Sequence, residues 1–163
     1  IYFGVTLQDH DPNAGRPPNT NPRIVNNLVV QDGGDCAGIR WADEIEPGGL
    51  HGLIGPAGMD FNAFHNRAGA CVFFDSRPGS ALGSGGFSEW QAGVGSDAHS
   101  FETPITVQAD GHLLPGSAAI DAGTALAQVS DDIDRQPRTA PLDIGADEAG
   151  DGTLFLDGFE SLP

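Results

Sequence analysis

Carboxylates crowd the last part of the chain. Asp121, Asp131, Asp132, Asp134, Asp143, Asp147 and Glu148 all fall within "GSAAIDAGTALAQVSDDIDRQPRTAPLDIGADE" (116–148). Such a set serves one of three chemistries: a general acid–base pair, a site for a hard cation, or the turns with which a fold closes. The stretch has neither the 3.6-residue period of a helix nor the alternation of a half-buried strand. Gly, Pro and Asp-Asp punctuate it instead, which favours the turn reading. Ile120 and Ile144 would then press inward while the acids face water or accept turn N–H groups. Arg138 lies where it can pair with one of these acids.

Other oxygens sit near the start. Asp9, Asp11 and Asn13 alternate in "DHDPNAG", with Gly15 after them, like the first half of a calcium loop. The acidic closing ligand is missing, because Arg16, Pro17, Pro18 and Asn19 follow. Ca²⁺ is the ion such hard ligands would take, and a solvated loop is the competing reading. His10, His51, His65, His99 and His112 are scattered, with no zinc-protease spacing and no Cys-x-x-Cys beside them. His65 adjoins an Asn turn and reads as a stacking residue. Two aromatic pairs suit a sugar ring: Arg40 with Trp41 in "GIRWADE", and Trp90 with His99 of "GSDAHS". For all four residues, packing inside the fold competes with ligand contact. No nucleophile elbow, phosphate loop or dinucleotide fingerprint is present.

The elements that must position these residues are short. The chain has 163 residues, enough for one domain or part of one, and its 24 Gly and 12 Pro demand frequent turns. The formal charge is −16 and no Lys occurs, so the surface repels nucleic acid, anionic membranes and, without bridging cations, polyanionic glycans. No run is long and apolar enough to span a bilayer. "IYFGVTL", "RIVNNLVV", "AGIRWA", "MDFNAFHN", "ACVFF" and "ITVQA" read as strands between turn formers. "TALAQV" (124–129) alone could make a turn or two of helix, and "GSALGSGGFSE" (79–89) reads as a flexible loop. The expected class is all-β.

A shift of the sequence by thirty-five residues brings Asn27 onto Asn62, Gly34 onto Gly69 and Cys36 onto Cys71. The apolar positions match only in part. Each unit reads as strand, Asn turn, strand, Gly turn, strand, which is one coil of a parallel solenoid. Parallel neighbours lie about 4.8 Å apart, within the Cα separation a disulfide allows. A Cys36–Cys71 bridge is therefore the expectation, and a stacked pair of free thiols is the alternative.

With those residues in view, the chain resembles secreted bacterial right-handed parallel β-helix proteins of the pectate-lyase-like group. "RIVNNLVV" and "FNAFHN" are similar to their stacked Asn turns. Trp90, Gly95, Asp97 and Ser100 resemble the start of their closing segment. "LPGSAAIDAGT" (114–124), "DIDRQPR" (132–138) and "DIGADE" (143–148) resemble its remainder, with Arg135 where Gly is usual. The tail "GDGTLFLDGFESLP" is similar to endings of proteins exported by some Gram-negative bacteria. The resemblance implies β-helix coils over 1–113, an end cap over 114–148, and a tail over 149–163 that is a sorting tag or an edge strand. It implies an exported, extracellular or cell-surface protein that associates with polysaccharide, as the binding or scaffold part of a lyase or hydrolase. The chain has no Lys, a single Tyr (Tyr2) and no basic cluster, so a complete active site is not expected in it. The alternative class is a non-catalytic adhesin, surface or filament subunit. The apolar start "IYFGVTL" leads to the further expectation that missing upstream sequence of the same protein, or an end-stacked subunit, covers the first coil.

Overall fold

The computed structural model describes residues 5–8, 23–40, 58–75 and 82–149. Strands β2 (Ile24–Val25), β3 (Leu28–Gln31) and β4 (Asp35–Arg40) follow one another, and β5 (Met59–Asp60), β6 (Ala63–Asn66) and β7 (Val72–Asp75) repeat that order. Each strand of the second set lies parallel on its counterpart: Ile24 beside Met59, Leu28 beside Ala63, Ala37 beside Phe73. Strand β1 (Val5–Gln8) pairs with β4, and β9 (Phe101–Glu102) pairs with β6, again in parallel. β8 (Gly83–Gly85) is antiparallel to β7. The result is three sheets, ordered β1-β4-β7-β8, β2-β5 and β3-β6-β9. The thirty-five-residue register holds through β2 and β3, where Val25 lies beside Asp60 and Val30 beside His65, and breaks at a bulge between Asp35 and Ala37.

The bends between sheets recur. Asn26 and Phe61 hold φ of 58° and 54°, both between the first and second strands of their units. Asn tolerates the left-handed region, whereas a bulky Phe does so only when its surroundings dictate it. Here the Phe61 N–H donates to Asp60 Oδ1 at 2.9 Å, and strands on both sides fix the chain. Cys36 and Cys71 form a disulfide with Cα atoms 5.4 Å apart, joining β4 to the segment entering β7. Closing a loop of that length stabilises the fold by about 3–4 kcal/mol on the chain-entropy estimate.

Period-two alternation sends side chains of β3 and β6 to opposite faces. Val29 and Phe64 enter an inner cluster with Cys36, Ile39, Phe73 and Met59. Leu28, Val30, Ala63 and Phe101 face outward into a second cluster with Ile105, Leu113, Ala119 and Ile144. At Gly38 an added Cβ would lie 1.9 Å from Phe74 Cε1, so the ring crosses the backbone where only Gly leaves room.

Three expectations change. The chain is mostly sheet but not all strand: "FSEWQAGV" forms helix α1 (Phe87–Val94), inside and beyond the stretch read as a flexible loop. Phe87, Trp90 and Val94 share one face and pack on the inner cluster. The Gly86 N–H donates to Glu89 Oε2 at 2.7 Å, and Gly95 ends the helix at φ 65°. Residues 124–129 make a turn, not a helix, and "ITVQA" contributes only a bridge between Val107 and Leu113. The segment 114–148 packs beside the strands. Its apolar residues lie on the outer face of the sheet β3-β6-β9, and it reaches back to β2 and β3 through bonds to Asn26. Trp90 and Val94 of α1 pack on the inner cluster. Among the described residues no helix is long and apolar enough to cross a membrane.

Candidate functional site

One polar ladder runs through the bends. Asn62 Oδ1 accepts the backbone N–H of Asn27 at 3.0 Å and its Nδ2 at 2.9 Å, thirty-five residues away. The Asn62 amide donates in turn to Ile24 O and to Asp97 Oδ1, each at 2.9 Å, and Asp97 lies a further thirty-five residues on. Asp97 is fully buried and ends the ladder by accepting the Trp90 indole N–H at 2.8 Å and the Ser100 hydroxyl at 2.6 Å. Ser100 Oγ also accepts the Asn62 N–H at 2.7 Å. A hydroxyl engaged on both sides inside the fold is a strut, not a nucleophile. The buried charge of Asp97 is thus met by three donors, which is how a buried carboxylate is tolerated.

Above the ladder one imidazole reaches the surface. His99 is 63% exposed, and its Nδ1 lies 2.7 Å from Oδ2 of the buried Asp60. Asp60 Oδ1 takes the His99 backbone N–H at 2.7 Å, so one carboxylate fixes both the main chain and the ring. Phe61 stacks on the imidazole, with centroids 4.7 Å apart and planes 9° from parallel. The result is a fixed, flat, solvent-facing platform with Nε2 outward. Its chemical capacity is hydrogen bonding and stacking.

The sequence paired Trp90 with His99 as a sugar contact. The structure ties them to different carboxylates, Trp90 to Asp97 and His99 to Asp60, and Trp90, 1% exposed, offers no face to a ligand. Arg40 is the last residue of β4, its backbone paired with Gln8. Trp41, Asp9, Asp11, Asn13 and the tail from 150 lie outside the described residues. His65 does lie at a contact between layers, its Nδ1 2.7 Å from the Ile105 carbonyl. Asp60 and Phe61 were missed as partners of His99. Their signal, Asp-Phe immediately before an Asn turn, is intelligible only once that turn is known to carry the site.

The carboxylates near the C-terminus divide by task. Asp143 is buried and accepts the N–H groups of Asp121 at 2.7 Å and Ala149 at 2.6 Å. Arg138 does pair with an acid of its own segment, donating from Nε to Glu148 Oε2 at 2.9 Å and from its other nitrogens to the carbonyls of Gly145 and Asp143. Burial, and then the charge of Asp143, push the Glu148 carboxyl above its ordinary pKa, with Arg138 opposing them. Gly123 has no alternative here, since a Cβ would meet the Asp143 carbonyl oxygen at 2.5 Å. Among the described residues one set, His112, Asp134 and Asp147, brings three metal-ligating side chains within 4.8 Å of each other. No spacing in the sequence marked it, because its members come from three separate turns.

Between β2–β3 and the C-terminal segment runs an open groove of about 1010 Å³, lined by Asn26, Leu28, Arg67, Gln108 and Asp110 among others. Compared with known proteins, the chain matches no family model, no curated protein and no solved structure.

Proposed function

We propose that this chain is the C-terminal part of an exported right-handed parallel β-helix protein, and that it serves as a polysaccharide-associated scaffold without a complete active site. One observation carries the reading: three successive strands lie in parallel on the next three, while Asn27, Asn62 and Asp97 hydrogen-bond in a row at thirty-five-residue intervals. A chain that wound as a β-helix would repeat in that way. The Cys36–Cys71 disulfide suits an oxidising compartment outside the cytoplasm. The buried acids Asp60, Asp97 and Asp143 have both oxygens committed to backbone or side-chain partners, which favours a scaffold over a catalyst. The groove between β2–β3 and the C-terminal segment, with its mix of apolar, amide and guanidinium groups, suits a sugar chain. At a formal charge of −16 the glycan would be neutral, or acidic and bridged by cations.

The chain, immobilised and challenged with neutral and acidic polysaccharides, should retain a neutral glycan and release no shorter product. Arg67→Ala, in the wall of the groove, should reduce that retention. Turnover of any glycan would show a catalyst instead. Failure to retain any would leave the structural role of a surface or filament subunit.

A further inference from the structure

We propose that His112, Asp134 and Asp147 bind one divalent transition-metal ion, with Zn²⁺ the best fit, and that the ion ties together the three turns from which they come. This does not depend on the polysaccharide reading. His112 stands in the turn closed by the Val107–Leu113 bridge, Asp134 in the turn closed by the Asp131–Pro137 bridge, and Asp147 in the stretch after Ile144. Their ligating atoms lie within 4.8 Å of one another.

Asp147 argues for a cation. Its side chain is only 7% exposed, and Oδ2 accepts the Leu113 N–H at 2.7 Å. Among the described residues no donor lies within hydrogen-bond distance of Oδ1, whose nearest charged neighbour is His112 Nε2 at 4.0 Å. A buried carboxylate oxygen left without a donor is costly, and a cation placed between it and the imidazole would supply the missing partner.

His112 argues for a transition metal. Its Nδ1 lies 3.0 Å from Asp110 Oδ1, while Nε2 lies 2.8 Å from Asp134 Oδ2. Metal-bound imidazoles are commonly held in this way, by a carboxylate on the far ring nitrogen. One imidazole and two carboxylates suit Zn²⁺ or a neighbouring first-row ion better than Ca²⁺ or Mg²⁺, which prefer oxygen alone. Ligands about 2.0–2.1 Å from a tetrahedral ion are about 3.4 Å apart. The separation of 2.8 Å must therefore widen and that of 4.0 Å must shorten, each by less than an ångström. As Nε2 takes the metal it gives up its hydrogen to water, and Nδ1 keeps its own towards Asp110. Solvent completes the coordination.

The test is calorimetry of the chelator-stripped full chain with Zn²⁺, Ca²⁺ and Mg²⁺, alongside the visible spectrum of the Co²⁺ form. One Zn²⁺ per chain should bind, preferred over Ca²⁺ and Mg²⁺, and thermal unfolding should shift upward with it. Asp110→Asn should weaken binding by about 10–100-fold. His112→Gln and Asp134→Asn should weaken it further and change the Co²⁺ spectrum. Asp134 is 45% exposed, so its variant keeps the fold and decides the matter even if His112→Gln does not fold. Undiminished Zn²⁺ binding in Asp134→Asn would place the ion elsewhere and overturn the proposal, as would a preference for Ca²⁺.

Discussion

His112 is held by acids at both ring nitrogens, and its titration is readable from that geometry. The hydrogen bond to Asp110, and then that to Asp134, raise its pKa from 6.5 to about 9. The same contact lowers the carboxyl of Asp110. A histidine whose pKa is raised by folding stabilises the native state fully below its unfolded value, where it is charged in both states. That contribution declines as pH rises through the folded value. With chelator present to keep metal away, His112→Gln should therefore be less stable than the parent below pH 6.5. The gap should narrow as pH climbs and close above about 9. Denaturant midpoints for both proteins across that range test this, and a gap that did not change with pH would mean that the ring contributes packing and not charge. Trp90, for which the sequence left ligand contact and packing as competing readings, is a buried donor to Asp97. Residue type could not distinguish these roles, because an indole serves either by the same face and the same N–H.

At the scale of elements, the thirty-five-residue repeat was legible because it rests on residues that cannot be exchanged freely. Asn62 must both donate and accept, Asn27 must donate to it, and Cys36 and Cys71 must meet. The third member of the ladder was not read as such, because Asp97 replaces Asn and helix α1 intervenes before it. The helix itself was hidden by its Gly-rich approach, although Phe87, Trp90 and Val94 have helical spacing and Glu89 stands three residues after Gly86. Eight residues in such a setting give a weak periodic signal. The acids at 116–148 were rightly read as turn-formers, but which face they would cover depends on a sheet that exists only after folding. The ladder makes its own prediction. Asn62→Ala would remove the acceptor of the Asn27 N–H and a donor from each of Ile24 O and Asp97 Oδ1. The expected loss is about 3 kcal/mol or more, read from the denaturation midpoint. Asn62→Asp should lose at least as much at neutral pH, since two carboxylates would then meet, and should regain part of it as pH falls and one of them takes a proton. Equal losses for the two variants at every pH would mean that a cavity, and not the polar ladder, sets the cost.

At the scale of the whole molecule, two apolar clusters share one sheet. The inner cluster holds Val29, Phe64 and Trp90, and the outer one holds Leu28, Ala63 and Ile144. Adjacent residues of β3 and β6 alternate between them, so neither face can be lost without disturbing the strand that supports the other. The polar ladder and the Asn26–Thr124 bonds cross between the same layers. The C-terminal segment is therefore not an appendage to the strands but half of what buries them, and unfolding should be a single transition. Trp90 reports on this, because its indole belongs to the inner cluster while Ile144 belongs to the outer. In a Trp41→Phe background, where Trp90 is the sole indole, Ile144→Ala should lower stability by about 2–5 kcal/mol, as deletion of a fully buried isoleucine does. That loss should appear in full in the Trp90 fluorescence transition and coincide with the loss seen by circular dichroism. A Trp90 transition left where it was, with a separate early change elsewhere, would show two independently stable layers and would refute the shared-sheet account.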